Sequence, residues 1–201
     1  MMQIINGGTN MPAIAKVTKE IIIDAAFEIA KEIGAENINA RTVSQKLGCS
    51  TQPVLYHFKT IEDVRMAAHR KAGEFHINYV TNLSGKYERP MLEVGMRHIQ
   101  FAVEETNLFR FLFHSNYYTG VSLSDWLTGK NFDSLFPILE RQAKVDKQQA
   151  YNIFSQIFLV THGIASLLAN NAMAYDEAYC IKTLSNAYFG TMHLIKDRGL
   201  L

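Results

Sequence analysis

The most constraining feature of this sequence is a pair of short amphipathic segments that meet at Gly48. The first segment follows Asn39, a good helix N-cap, and the second, at residues 50–58, carries Pro53 in its first turn, where proline is tolerated. Glycine adopts a positive φ at no steric cost, so Gly48 allows a tight turn between the two segments. Two short helices joined by such a turn are the signature of a helix-turn-helix motif.

The remainder of the chain is also predicted to be helical, because no run alternates apolar and polar residues for long enough to form a strand. With 201 residues, 48% of them hydrophobic and 19% charged, the chain is globular in composition and long enough to bury a core without disulfides. We therefore predict an all-α fold of about nine helices, with the least regular part at residues 116–130.

Two features of the sequence indicate the cellular compartment. Only two cysteines, Cys49 and Cys180, are present, and they lie far apart, which favours a reducing cytoplasm. The most apolar region, residues 151–174, is interrupted by polar side chains at short intervals. A membrane span needs about 20 predominantly apolar residues, so we interpret this region as a buried helix and expect a cytoplasmic protein with no membrane partner.

The local charge pattern favours a nucleic-acid interface around the turn. The formal net charge of the chain is only +1, so any basic site must be local. Residues 37–61 contain no Asp or Glu but include Arg41, Lys46 and Lys59. The second short segment carries polar side chains that can donate to phosphates and read base edges in a major groove.

Residues 18–68 resemble the N-terminal DNA-binding domain of TetR-family transcriptional regulators. The matching features are the Ala25-Ala26 pair in a capped first helix, its end at Gly34, the run Arg41-Thr42-Val43-Ser44, the turn Gly48-Cys49-Ser50, and Tyr56-His57-Phe58-Lys59-Thr60 before the next helix. The sequence departs from the family's pattern at Leu55, where a tyrosine is usual, and at Gln52-Pro53, where a small residue is common.

The resemblance implies two groups of DNA-binding residues. The residues expected to hold phosphates are Thr18, Lys19, Asn39, Arg41, Lys59 and Thr60. The residues expected to face the major groove are Thr51, Gln52, Tyr56 and His57. Thr18, Asn39 and Thr60 are also good helix N-caps, a role that they would have without DNA. His57 has the alternative of being an ordinary surface histidine.

The residues Gly7, Gly8, Asn10 and Pro12 predict a flexible arm at residues 1–15. The resemblance implies a DNA-binding domain at residues 16–70 and a helical effector-binding and dimerisation domain at residues 71–201. The last two predicted helices are long, and the first of them is apolar on more than one face, so it must be buried on several sides. We predict that these helices form a homodimer interface through Phe158, Gly163, Leu167, Leu184, Tyr188 and Thr191. The alternative is that both helices form the core of one protomer.

The middle of the chain is rich in aromatic residues with a few polar neighbours, a composition typical of ligand pockets. The candidate pocket residues are Phe101, His114, Tyr117, Trp126, Phe154, Phe158 and His162. We predict a small apolar or aromatic effector. The alternative is that each of these residues belongs to the hydrophobic core.

The sequence contains no glycine-rich phosphate loop, nucleophile elbow or HExxH motif, and its histidines and Cys180 lack metal-ligand spacing. We therefore predict that the protein is not an enzyme and binds no cofactor and no metal. The leading hypothesis is a homodimeric, ligand-responsive transcriptional repressor that binds a palindromic operator in double-stranded DNA. The alternative is a helical ligand-binding or interaction protein that no longer reads DNA.

Overall fold

The computed structural model describes residues 17–129, 132–171 and 173–197. These residues form ten α-helices and two short 3₁₀ turns, and they include no strand, so the all-α prediction is confirmed. The helices are α1 (Lys19–Ile33), α2 (Ala40–Leu47), α3 (Gln52–His57), α4 (Ile61–Thr81), α5 (Pro90–Glu104), α6 (Thr106–Phe113), α7 (Leu123–Thr128), α8 (Phe136–Ala143), α9 (Lys147–Asn171) and α10 (Glu177–Asp197). The predicted arm at residues 1–15 lies outside the described residues.

The three N-terminal caps expected from the sequence are present. The Thr18 side chain accepts a hydrogen bond from the Ile21 backbone N–H and starts α1. Thr60 and Asp63 exchange hydrogen bonds in a capping box that starts α4, with the Asp63 N–H 3.1 Å from Thr60 Oγ1. Each cap satisfies backbone donors that a helix start leaves unpaired, so these boundaries follow from local sequence alone.

The structure contains one short helix that the sequence did not predict. Helix α7 lies inside the segment 116–130, and the Ser122 hydroxyl starts it by accepting a hydrogen bond from the Asp125 N–H at 3.1 Å. The next helix, α8, begins at Phe136, where Pro137 occupies its first turn and the preceding residues form a turn. Proline favours the first turn of a helix because it lacks an N–H to donate.

The hydrophobic core is continuous between the N-terminal helices and the rest of the described chain. One cluster includes Ile22 of α1, Val54 of α3, Phe109 of α6 and Leu184 of α10. Helix α4 runs through residue 70, the predicted end of the DNA-binding domain, and packs against α1, α5 and α6. The division of the chain into two domains at this residue therefore remains a prediction.

Helix α9 is the apolar helix expected from the sequence. By length and composition it could cross a membrane, with a mean hydropathy of 1.4 in its most apolar window. In the structure it packs against α5, α8 and α10, and residues such as Ile153, Phe154 and Ala165 are buried. The apolar side of α9 is therefore buried in the protein core.

The turn between α4 and α5 is organised around a buried carboxylate. Glu93 is 2% exposed and accepts hydrogen bonds from the Ser84 hydroxyl at 2.8 Å and the Gly85 N–H at 3.1 Å. Gly85 has a φ of 77°, a conformation that side chains rarely adopt. Burial opposes ionisation, but the hydrogen bonds from this turn outweigh it and hold the pKa of Glu93 below its usual value.

Candidate nucleic-acid interface and ligand cleft

Helices α2 and α3 form the predicted helix-turn-helix. Gly48 adopts the left-handed conformation with φ 64° and ψ 31°, and the next N–H, of Cys49, bonds to the Ser44 carbonyl at 3.0 Å. This pattern closes α2 and reverses the chain within a few residues. Val43 and Val54 are fully buried between the two helices and α1, so the packing fixes the orientation of α3.

The exposed side of α3 combines amide, hydroxyl and apolar groups. Gln52 and the preceding Thr51 are exposed, as are Leu55 and Tyr56, which are 60% and 83% accessible. Val54, one residue earlier in the same helix, is buried. An amide such as that of Gln52 can bond two positions on an adenine edge, whereas an apolar side chain such as Leu55 contacts a thymine methyl.

Three of the predicted cations lie exposed around α3. Lys19 at the start of α1 places its ammonium 5.1 Å from the ring centroid of Phe58, and Arg41 and Lys59 are exposed on either side of the turn motif. Lys46 differs, because its ammonium contacts the Glu32 carboxylate at 2.8 Å. Its charge is therefore compensated within the protein. The sequence did not predict this, because Glu32 lies outside the acid-free residues 37–61.

His57 makes a contact within the protein that the sequence did not predict. Its ring is half-buried, and Nε2 lies 2.9 Å from the backbone carbonyl of Val17. This hydrogen bond joins the end of α3 to the residue before the Thr18 cap of α1, so His57 helps to position α3. Thr51, Gln52 and Tyr56 are more exposed than His57, and contacts of these four residues with base edges remain a prediction.

The N-cap side chains predicted to hold phosphates are engaged with their own helices. Asn39 Oδ1 accepts the N–H groups of Arg41 and Thr42 at 3.1 and 3.0 Å, and Thr18 and Thr60 bond to the starts of α1 and α4. Their contribution to phosphate binding would come mainly from the backbone N–H groups at these helix starts, where the helix dipole favours an anion.

A cleft of about 900 Å³ opens between α4, α6, α7 and the adjoining loops. Of the predicted pocket residues, Tyr117 and Trp126 line it. The predicted pocket did not include the other aromatic residues or the α4 residues of the lining, among them Met66, His69, Arg70, Gly73, Glu74, His76, Phe113, Tyr118 and Phe132. The aromatic run at residues 107–115 was the available signal for this wall, whereas the contribution of α4 depends on packing between distant segments.

The remaining predicted pocket residues lie elsewhere. Phe154 and Phe158 line a small neighbouring cavity of about 30 Å³ that shares His76 and Phe132 with the cleft. Phe101 is completely buried in the core. His114 is exposed, and its ring nitrogens lie 3.1 Å from Ser166 Oγ and 3.3 Å from Asn170 Nδ2. We therefore remove Phe101 and His114 from the predicted ligand pocket.

A chain of three histidines extends inward from the cleft. His76 Nε2 is 2.9 Å from His98 Nδ1, and His98 Nε2 is 3.4 Å from Nδ1 of His162, another predicted pocket residue. Burial lowers the pKa of His76 to about 3 and of His162 to about 4, and it lowers that of His98 strongly. The rings are therefore neutral at pH 7. Within the described part of the chain, these histidines and the acidic or thiol side chains form no group that could hold a metal ion.

The structure divides the predicted dimer residues into two sets. Phe158, Leu184 and Thr191 are buried within the protomer, so they are corrected from interface to core. Gly163 and Leu167 are exposed, and Tyr188 is half-buried. Other apolar residues on the same two helices are exposed, namely Leu159, Val160, Phe189 and Leu194.

The fold and these sites define a class of all-α proteins with an N-terminal helix-turn-helix and a helical body that contains a cleft. No family model matches the sequence, and no curated protein matches it. Comparison with solved structures nevertheless finds this architecture in regulators of the TetR family.

A TetR-family transcriptional regulator from Streptomyces coelicolor has a TM-score of 0.65 and 14% identity, over 90% of this chain and 87% of that chain. Another member of the TetR family, from Streptomyces coelicolor A3, has a TM-score of 0.55 and 20% identity, over 84% and 96%. The multidrug binding protein EbrR, complexed with imidazole, has a TM-score of 0.52 and 19% identity, over 84% and 93%. The chain has the TetR-family fold, which confirms the resemblance at the level of structure.

Proposed function

We propose that this protein is a sequence-specific, DNA-binding transcriptional regulator without enzymatic activity, which acts in the cytoplasm as a homodimer. In this proposal, α3 enters the major groove of each half of a palindromic operator. A small ligand in the cleft lowers operator affinity, so the protein acts as a ligand-released repressor. The fold shared with TetR-family regulators supports the coarser part of this proposal.

The observation that carries the proposal is the surface of α3. One turn of helix buries Val54 and exposes Gln52, Leu55 and Tyr56, so an apolar and an aromatic side chain face the solvent beside an amide. Exposed cations lie at the start of α1 (Lys19), in the first turn of α2 (Arg41) and two residues after α3 (Lys59). Base-reading groups flanked by cations are the arrangement expected for major-groove recognition.

A homodimer is supported by the outer faces of α9 and α10. Val160, Gly163 and Leu167 follow helical spacing along α9, and Phe189 and Leu194 are exposed on the adjacent α10. Several exposed apolar side chains on two helices that pack against each other are consistent with a protein interface. A two-fold dimer would place two copies of α3 on successive half-sites about 34 Å apart.

Helix α4 supplies the connection between the cleft and the recognition helix. Its residues His69, Arg70 and Gly73 line the cleft, and the same helix packs against α1, which also contacts α3. A ligand that favours a different position of α4 would change the spacing of the two recognition helices. Ligand and DNA must then weaken each other's binding by the same factor.

The test is selection of DNA from a random duplex pool by the purified protein, followed by fluorescence anisotropy with the selected DNA. The proposal predicts a palindromic sequence, two subunits per site, and tight binding that survives a large excess of random DNA. Binding no tighter than to random DNA, with no motif selected, would contradict the proposal. That result would favour the alternative of a helical ligand-binding protein that does not read DNA.

A further inference from the structure

We propose that the cleft binds a neutral, planar aromatic molecule that carries a hydrogen-bond donor, such as a phenol or an N–H heterocycle, and that His69 accepts this hydrogen bond. The inference deepens the proposed ligand-responsive function, on which its regulatory meaning rests. It assigns a chemical class to the ligand and a specificity-determining residue to the site.

The walls of the cleft are built from aromatic rings that contact one another in tilted or edge-to-face arrangements. The His69 ring lies 4.7 Å from Tyr117 and 5.7 Å from Tyr118, measured between centroids. The Tyr118 ring continues to Trp126 at 5.5 Å, and Trp126 to Phe132 at 5.1 Å. Such a surface offers stacking and edge-to-face contacts to a flat ring system, and it favours a planar aromatic ligand over a branched aliphatic one.

His69 provides an unsatisfied acceptor inside this wall. Its Nε2 is buried and has no hydrogen-bond partner, whereas the ring hydrogen-bonds to the backbone carbonyl of Leu112. That bond must come from Nδ1–H, so Nε2 of the neutral ring carries a lone pair. Buried polar atoms normally have partners, so a ligand N–H or O–H that reaches Nε2 would gain a hydrogen bond that the protein alone does not make.

The charge distribution favours a neutral ligand. Burial lowers the pKa values of His69 and His76, so both histidines of the cleft are uncharged at pH 7. The charged side chains among the described cleft residues are Arg70, Glu74 and Asp133, and all three are exposed to water. A charged ligand group among the buried rings would lose its hydration without gaining a counter-charge. A phenol or N–H heterocycle avoids this cost.

Trp126 adds a possible second contact and a reporter. Its Nε1 is buried without a hydrogen bond of normal geometry, although it lies close enough to the Tyr118 hydroxyl to affect the pKa of that group. It could therefore donate to an oxygen of the ligand. Trp126 is also the single tryptophan of the sequence, so its fluorescence reports on occupation of this cleft.

The experiment compares 2-naphthol with 2-methoxynaphthalene, which has the same ring system but no donor. Dissociation constants are measured by calorimetry on the full chain, and quenching of Trp126 fluorescence locates the binding. We expect 2-naphthol to bind about tenfold more tightly than the ether, the effect of one hydrogen bond of about 1.4 kcal/mol. Equal affinities for the two compounds would overturn the assignment of His69 as an acceptor.

Two variants test the residue. His69→Phe keeps an aromatic ring but removes the lone pair, and should reduce the affinity ratio from about ten to about one. His114→Phe makes the same substitution at an exposed histidine outside the cleft and should leave the ratio unchanged. An unchanged ratio in a folded His69→Phe variant would overturn the proposal. If that variant does not fold, the affinities of 2-naphthol and 2-methoxynaphthalene for the wild-type protein still test the proposal, because equal affinities would overturn it.

Charged probes complete the test. Tighter binding of N-methylquinolinium would show that Glu74 and Asp133 select a cation, and tighter binding of 2-naphthoate would show that Arg70 selects an anion. Either result overturns the neutral class. DNA binding is measured separately on the same preparations. A protein that binds DNA without discriminating the probes contradicts only this inference, whereas one that discriminates them without binding DNA contradicts the proposed regulator.

Discussion

At the scale of single residues, the buried histidines are the groups most sensitive to conditions. His76 is 4% exposed and contacts His98 on α5, while the rings of Phe101 and Phe113 pack against it at 4.8 and 5.3 Å. A proton on one of these buried histidines would introduce a charge among apolar rings. The unfolded chain has no such restriction, so protons bind it more readily than the folded protein.

Lowering the pH should therefore lower the unfolding free energy of the protein. This loss should be smaller in the His76→Phe variant. The folded pKa of His76, about 3, lies below its unfolded value, so its contribution is lost progressively as the pH falls from about 6.5. We expect the slope of unfolding free energy against pH between 6 and 4 to fall by about 1.4 kcal/mol per pH unit in the variant. Urea unfolding at a series of pH values measures it. His114→Phe is the control, and equal slopes in wild type and His76→Phe would contradict this account.

Residues whose roles depend on neighbours in the sequence were predicted well, and those with distant partners were not. Thr18, Asn39 and Thr60 cap their helices by contacts to residues two or three positions away. His57 instead bonds to the carbonyl of Val17, 40 positions away. Such contacts exist only after the chain has folded, so the sequence pattern could not distinguish a positioning histidine from one that faces DNA.

At the scale of elements, the helices could be predicted from periodicity and caps, but the cleft could not. Its aromatic wall comes from segments that the sequence marks as rich in aromatic residues, including Tyr117 and Trp126. Its other wall is the side of α4 that carries His69 and Gly73. Helical periodicity identifies the apolar side of such a helix but not which neighbouring segments leave part of that side uncovered.

The turn between α4 and α5 gives a prediction at this scale. Glu93→Gln replaces a carboxylate that accepts several hydrogen bonds by an amide whose NH₂ group would face N–H donors. We expect a loss of about 2 kcal/mol in unfolding free energy, because the NH₂ group cannot accept the hydrogen bonds that one oxygen of the buried carboxylate now receives from the turn at Ser84 and Gly85. Denaturant unfolding at pH 7 measures the loss.

Glu88→Gln is the matched control for this variant, because Glu88 is exposed in the same turn region. A surface substitution of this kind should change the stability by less than about 0.5 kcal/mol. Equal stability of Glu93→Gln and Glu88→Gln would show that the buried carboxylate does not organise the turn.

At the scale of the whole molecule, the first prediction concerns assembly. Leu167→Lys places a charge on the exposed face shared by α9 and α10, where Leu167 is 52% accessible in the protomer. Burying an unpaired ammonium is unfavourable, so we expect the dimer to dissociate while each protomer keeps its helices. Light scattering coupled to size-exclusion chromatography measures the mass.

Leu123→Lys is the control for this prediction, because Leu123 is 59% exposed but lies on α7, away from that face. It should leave the mass at two subunits. A dimer that persists in Leu167→Lys, or a wild-type protein that is monomeric at micromolar concentration, would contradict the proposed interface.

The central claim is that the surface around α3 binds DNA, and the most direct measurement is the salt dependence of operator affinity in Arg41→Ala/Lys59→Ala. Each lost phosphate contact lowers the slope of log K against log salt by about 0.9, so four contacts per dimer should lower it by about 3 to 4. Arg141→Ala/Lys147→Ala removes one exposed arginine and one exposed lysine from the helical body and should leave the slope unchanged. A smaller slope and weaker binding only in the first variant would support the account, and identical slopes and affinities in both variants would contradict it.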